Sequence, residues 1–168
     1  VWWSELADSS VRSAAASRMY AALVEDVLSE FSYQASEAGF SYSFSVTGSG
    51  AELSLSGYSS GLRKFAEALT SAIRLQDPRA NDQARFDRLK QRELQALENS
   101  KHMPAYSYAT YIATLSRDER AYALPHRSRA LQALTLQDVL AFPRGLFADC
   151  ALEAFVHGDM QREDAEAL

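Results

Sequence analysis

Residues 38–58 read AGFSYSFSVTGSGAELSLSGY, and the alternation in this stretch decides the fold class. Phe40, Tyr42, Phe44 and Val46 alternate with Ser41, Ser43, Ser45 and Thr47, the period of two expected of a strand with one buried face and one wet face. Ala51, Leu53 and Leu55 alternate with Glu52, Ser54 and Ser56 in a second strand. Between them, Gly48-Ser49-Gly50 supplies the positive-φ residues that a short hairpin needs.

Helical patterns flank the hairpin on both sides. From Ser9 to about Ala38 there is neither proline nor glycine, and Val11, Ala15, Met19, Ala22, Val27 and Phe31 form a stripe behind the capping residues Asp8 and Ser9, with a break expected near Ser32. After the hairpin, Ser59 and Ser60 are placed to cap a helix that buries Leu62, Phe65, Ala66, Leu69 and Ile73 and ends before Asp77-Pro78. Asn81 and Asp82 open a charged helix to about Asn99, with Phe86, Leu89, Leu94 and Leu97 inward and Lys90, Arg92 and Glu93 outward. Pro104 starts an aromatic helix carrying Tyr106, Tyr108, Tyr111, Ile112 and Leu115. A further helix runs from near Arg127 to Leu134. Thr135 and Asp138 have capping-box spacing for another, which Pro143 is expected to stop. Val1-Trp2-Trp3 and Cys150 to Val156 read as strands, the latter closed by Gly158 and followed by Asp159 as the cap of a terminal helix. Strands separated by helical blocks define an α+β fold, a mixed or antiparallel sheet with helices packed on one face.

Composition bounds the function. At 168 residues the chain suits a single domain, 1–168. It carries 17 Lys plus Arg against 22 Asp plus Glu, a net charge of −5 with no basic patch, which argues against nucleic acid as a partner. Its apolar runs are too short to span a membrane, and the lone Cys150 suits a reducing compartment. The absence of an initiator Met before Val1, and a terminal helix that breaks off after its first turn, read as a piece of a longer multi-domain polypeptide.

The segments Leu28-Ser29-Glu30-Phe31-Ser32-Tyr33-Gln34-Ala35, Ala38-Gly39-Phe40-Ser41-Tyr42, Leu53-Ser54-Leu55-Ser56-Gly57-Tyr58 and Glu153-Ala154-Phe155-Val156-His157-Gly158-Asp159, taken in order, resemble the middle domain of the insulinase, or pitrilysin-type, zinc metallopeptidases. The resemblance spans essentially the whole chain. It implies a parent enzyme of four homologous α+β domains enclosing a chamber in which peptides are cleaved, with this chain a non-catalytic part of the wall. The family's zinc and general base sit on an inverted His-x-x-Glu-His motif. None of His102, His126 and His157 begins one, so the resemblance implies zinc in the parent and no cofactor, metal ligand or catalytic residue in this chain. The partners it implies are the other domains of the same polypeptide and peptide substrates, with a homo-oligomer left open. The implied location is the cytoplasm, with mitochondria as the other compartment. Two other readings stand beside it: a non-catalytic core domain of the mitochondrial processing peptidase or respiratory-complex type, and a small stand-alone interaction module.

The substrate-contact residues singled out are Tyr42, Tyr58, Tyr106 and Tyr108, because tyrosine offers a large apolar area with a hydroxyl at low entropic cost. The plainer expectation is that Tyr106, Tyr108 and Tyr111 pack between helices. His157 is expected to hydrogen-bond at a strand-to-helix turn, Cys150 to fill core, and the hairpin serines to line a wet sheet face with no nucleophile among them.

Overall fold

The computed structural model describes residues 1–75, 78–159 and 161–163, without the side chains of Glu30 and Pro78. The elements in chain order are β1 (Trp2–Trp3), α1 (Val11–Glu37), β2 (Ser41–Thr47), β3 (Gly50–Ser56), α2 (Ser59–Ile73), α3 (Gln83–Asn99), α4 (Ala105–Arg117), α5 (Leu124–Ala133), α6 (Leu136–Ala148) and β4 (Ala151–Leu152). The strands form one antiparallel sheet in the order β2-β3-β1-β4, so the fold is α+β with helices on one sheet face. The expected terminal helix lies largely outside the described residues.

The hairpin forms as its alternation dictates. Ser41 pairs with Ser56 and each step pairs one to one down to Thr47 with Gly50. Tyr42, Phe44, Val46, Leu53 and Leu55 pack onto the core, while all five hairpin serines, Thr47 and Glu52 are exposed. Of the connector residues only Gly50 has positive φ, at 137°. A Cβ there would overlap the carbonyl oxygen of Trp2, so the glycine is what lets β1 approach β3. Gly39, at φ 80°, makes the turn out of α1, where a Cβ would meet the Tyr58 ring at 2.9 Å.

α1 is the structural axis. It is 27 residues long and unbroken at Ser32, contrary to the expected break. Ser17, Ser29 and Ser36 turn their hydroxyls back onto the carbonyls of Ala14, Asp26 and Tyr33, which keeps small polar residues compatible with a helix. Its cap is Ser10, whose hydroxyl accepts from the Ser13 N–H at 3.1 Å, one residue beyond the expected Asp8 and Ser9. Met19, Tyr20, Leu23 and Val24 have no exposed surface, and burial of each such side chain contributes about 1.5–3 kcal/mol. Tyr20 sits where the layers meet. Its hydroxyl donates to the Ile73 carbonyl on α2 at 2.6 Å, and its ring contacts Phe44 of β2 edge-on and Phe142 of α6. Burial pushes its phenol far above the usual range, so it stays a neutral donor.

Three further expectations change on contact with tertiary packing. α2 starts one residue earlier than its serines suggest: Tyr58 occupies the cap position without a side-chain bond, and Ser59 and Ser60 lie inside the first turn. α6 does open on the Thr135–Asp138 capping box but runs straight through Pro143 to Ala148. The backbone bond lost at proline costs about 3 kcal/mol, and burial of Phe142, Pro143 and Leu146 on one face offsets it. The strand expected over Cys150 to Val156 is paired only at Ala151–Leu152, opposite Trp3 and Trp2. Two more backbone bonds follow, from the Glu153 N–H to the Val1 carbonyl and from the Val1 amino group to the Glu153 carbonyl, and residues 154–157 then lie exposed with no strand opposite.

Tyr20→Phe is expected to lower unfolding free energy by about 1–3 kcal/mol in a urea titration with unchanged slope, since the Ile73 carbonyl is left without its donor in the core. A second expectation concerns acid. Hydrogen bonds from the Thr135 hydroxyl and backbone N–H, helped by Arg12, hold the Asp138 carboxyl down at a pKa of about 2. A folded-state pKa below the unfolded value of about 4 stabilises the fold at pH above 4, and that contribution is lost as pH falls through 2. Thr135→Ala is therefore expected to cost about 1 kcal/mol at pH 7 and to flatten the loss of stability between pH 4 and 2.

Candidate functional site

The outer edge of the sheet is β2, and beside it lies an open groove of about 500 Å³. Its floor is the flank of α1 that extends past the sheet edge, where Ala21, Glu25, Leu28 and Ser32 recur at helical spacing. One wall is the edge itself, at Tyr42, Ser43 and Phe44, and the other is α3 at Arg92 and Glu93. The groove is thus assembled from two consecutive elements, α1 and β2, and from the more distant α3.

The charges in it are ordered. Glu93 is only 9% exposed, and the Arg18 guanidinium donates from Nε to its carboxylate at 2.6 Å. Arg92 reaches the other carboxylate oxygen at 3.9 Å. Two arginines thus share one acid at the α3 side of the groove. Glu25 is exposed and has no cation within salt-bridge distance among the described residues. Burial, with the Glu25 carboxylate adding to it, raises the Tyr42 phenol above its ordinary pKa, and the Ser32 hydroxyl partly offsets this. The site therefore offers a neutral phenol, a free carboxylate and a paired guanidinium cluster beside a strand edge. Such groups can exchange hydrogen bonds and pair charge with a polar ligand.

The four singled-out tyrosines do not converge. Tyr42 is half-buried in the groove with its ring edge-on to Phe65. Tyr58 is 72% exposed against Gly39, just past the open end of the hairpin at which Tyr42 also lies. Tyr106 and Tyr108 lie on α4 at 77% and 55% exposure. The plainer expectation for the α4 tyrosines, packing between helices, is corrected: no residue of α4 is buried, and among its tyrosines Tyr111 is the most enclosed, its hydroxyl accepting from the Leu124 N–H. His157 stacks on Phe155 in the exposed segment, without the hydrogen-bonding turn expected of it. Cys150 is half-buried, its thiol donating to the Phe147 carbonyl at 3.7 Å.

Glu93 was expected to point outward, and its burial is the main feature the pattern reading misses. The signal exists: Phe86, Leu89, Glu93 and Leu97 fall at 3.6-residue spacing, so a carboxylate sits in the apolar stripe and demands a cation. Leu94, expected inward, is half-buried at its side. Among the described residues no group of three or more His, Cys, Asp and Glu side chains is placed to hold a metal ion such as zinc. No described helix is long and apolar enough to cross a membrane.

A one-sided antiparallel sheet packed on a long helix, with β2 as an edge strand, defines a domain of α+β class. The chain belongs to the peptidase M16 family, matching the model of its middle or third domain over residues 3–130. It is 28% identical over 163 residues to insulin-degrading enzyme-like 2 of Arabidopsis thaliana, covering 97% of this chain and 17% of that protein. It is 29% identical over 151 residues to insulin-degrading enzyme of Homo sapiens, covering 88% of this chain and 14% of that one. The crystal structure of pitrilysin superposes with a TM-score of 0.84 at 22% identity, over 96% of this chain and 17% of the other. The chain therefore spans about a sixth of the length of the relatives it matches.

The buried pair makes a double-mutant cycle informative. Arg18→Leu alone leaves Glu93 enclosed without its closest partner, with Arg92 at 3.9 Å and the charge of Arg127 nearby, and a loss of about 1–3 kcal/mol is expected. Adding Glu93→Leu is expected to recover most of it in the same denaturation assay.

Proposed function

We propose that this chain is the non-catalytic middle domain of an insulinase-type zinc metalloendopeptidase and forms part of the wall of a peptide-enclosing chamber. The observation that carries the reading is the sheet's asymmetry. Helices take the apolar face, and the serine-lined hairpin face and the β2 edge are left to water, as suits a polar lining against which a peptide chain can move. Family membership supports it, and the insulin-degrading and pitrilysin relatives favour it over a processing-peptidase or respiratory-complex core and over a stand-alone module. On this reading residues 1–168 are one domain of a longer polypeptide whose other domains are its main partners. The zinc and the general base come from another domain. Tyr42, Tyr58, Tyr106 and Tyr108 are the proposed peptide-contacting side chains, and the location is cytoplasmic.

Two measurements on the full-length parent test this. Replacing His102, His126 and His157 together by Gln is expected to leave bound zinc per polypeptide and kcat within twofold of wild type; loss of zinc would place a ligand in this domain. Benzophenone-bearing substrate peptides are expected to label the hairpin, residues 41–56. Labelling confined to other domains would remove this one from the chamber wall.

A further inference from the structure

A second groove lies on the helical side of the domain, away from the serine face, between the C-terminal end of α2 and one flank of α6. It has a volume of about 750 Å³ and follows α6 from Gln137 to Ala148, roughly 16 Å at 1.5 Å per residue. Arg74 borders it from the α2 wall and Arg144 from α6. Both are exposed, and neither guanidinium has a hydrogen-bond or ion-pair partner among the described residues. In a chain of net charge −5, no acidic side chain is among the described residues that line this groove. Its apolar lining is Leu75, Leu140 and Phe147, with Pro143 beneath. A smaller recess of about 140 Å³ adjoins it, sharing Arg74 and Phe147 and walled by Trp2 and Ile73. The two remaining groups of the recess are already engaged, the Thr70 hydroxyl donating to the Ala66 carbonyl and the Cys150 thiol to the Phe147 carbonyl.

We propose that groove and recess together form a docking site for an acidic amphipathic segment of a separate protein, with one aliphatic side chain in the recess and carboxylates on Arg74 and Arg144. The inference goes beyond the chamber-wall reading and does not depend on it. Each part of the surface selects one part of the ligand. With its polar groups satisfied, the recess favours an apolar group, and its size suits one leucine-like side chain. The guanidinium forks match carboxylates, and the Asn81 and Gln137 amides at the rim can exchange hydrogen bonds with a peptide main chain. A compact polyanion fits less well. Arg74 and Arg144 stand on different walls with apolar side chains in the same lining, Arg74 sits at the carbonyl end of α2, and the N-terminus of α6 is already closed by its capping box. Unpaired, exposed charge also favours a partner arriving from solution, because it speeds encounter, which a domain tethered in place does not need.

The test uses the full-length parent, treated with chelator to stop turnover, and a fluorescein-labelled peptide, Gly-Asp-Glu-Leu-Asp-Glu-Leu-Gly, read by anisotropy. Wild type is expected to bind it, and Arg74→Glu and Arg144→Glu each to weaken binding at least fivefold. The double variant is expected to prefer the peptide in which Lys replaces every acid. Both arginines are exposed, so these variants are expected to melt as wild type does. Exchanging both leucines of the peptide for Ser is expected to weaken binding at least tenfold, and an equimolar amount of inorganic triphosphate is expected not to displace the parent peptide. Undiminished binding of the Ser peptide, or displacement by triphosphate, would reduce the groove to a general anion surface and overturn the inference. Unchanged affinity in the double variant would overturn it as well. So would a wild-type parent that binds no peptide, its groove then being covered by another of its own domains.

Discussion

Everything in this fold is arranged around one buried hydroxyl. Tyr20 brings a polar group into the most enclosed part of the core, and such a group is tolerated only when its bond is made. The bond goes to a carbonyl at the end of α2, 53 residues away, while the same ring presses on the hairpin and on α6. A hydrogen bond has one good geometry and hydrophobic contact has many, so Tyr20 fixes how far α2 and the sheet slide along α1. Sheet register, the placement of the groove floor and the exposed serine face all inherit that setting.

Much of this was legible from local pattern because the rules involved are local. Period-two alternation placed both hairpin strands within a residue, and Thr135 with Asp138 announced a cap whose hydrogen bonds need no tertiary partner. The errors fall where distant packing decides. Pro143 looks like a stop until the burial of Phe142 and Leu146 is weighed against one lost bond. Cys150 to Val156 looks like a strand, yet a strand needs a neighbour, and β1 offers only two residues of ladder. Glu93 looks solvated until Arg18, 75 residues earlier, is brought beside it. The groove itself could not be read, because its α3 wall, which starts at Gln83, comes from far beyond the α1–β2 pair it completes. Tyr42, singled out for its chemistry, is one of the residues that line it, and the family resemblance agrees with the fold.

The sheet's asymmetry also separates the work of folding from the surface left to water. The face that holds the fold together and the face open to solvent are different faces of the same strands, since alternate side chains point opposite ways. Serines on the wet face contribute nothing to the core and can be exchanged without repacking it. Their small size keeps the main chain within reach of an approaching partner.

α4 has a different consequence. A helix of 13 residues with no buried side chain is marginal on its own, and here a tyrosine hydroxyl bonded to one backbone amide is among its few attachments. Its opening free energy must then lie well below that of the core around α1. The segment is expected to melt separately from the core and to exchange its amides and admit a protease well before α1 does. Contact with a neighbouring body would slow both processes there and leave α1 unchanged.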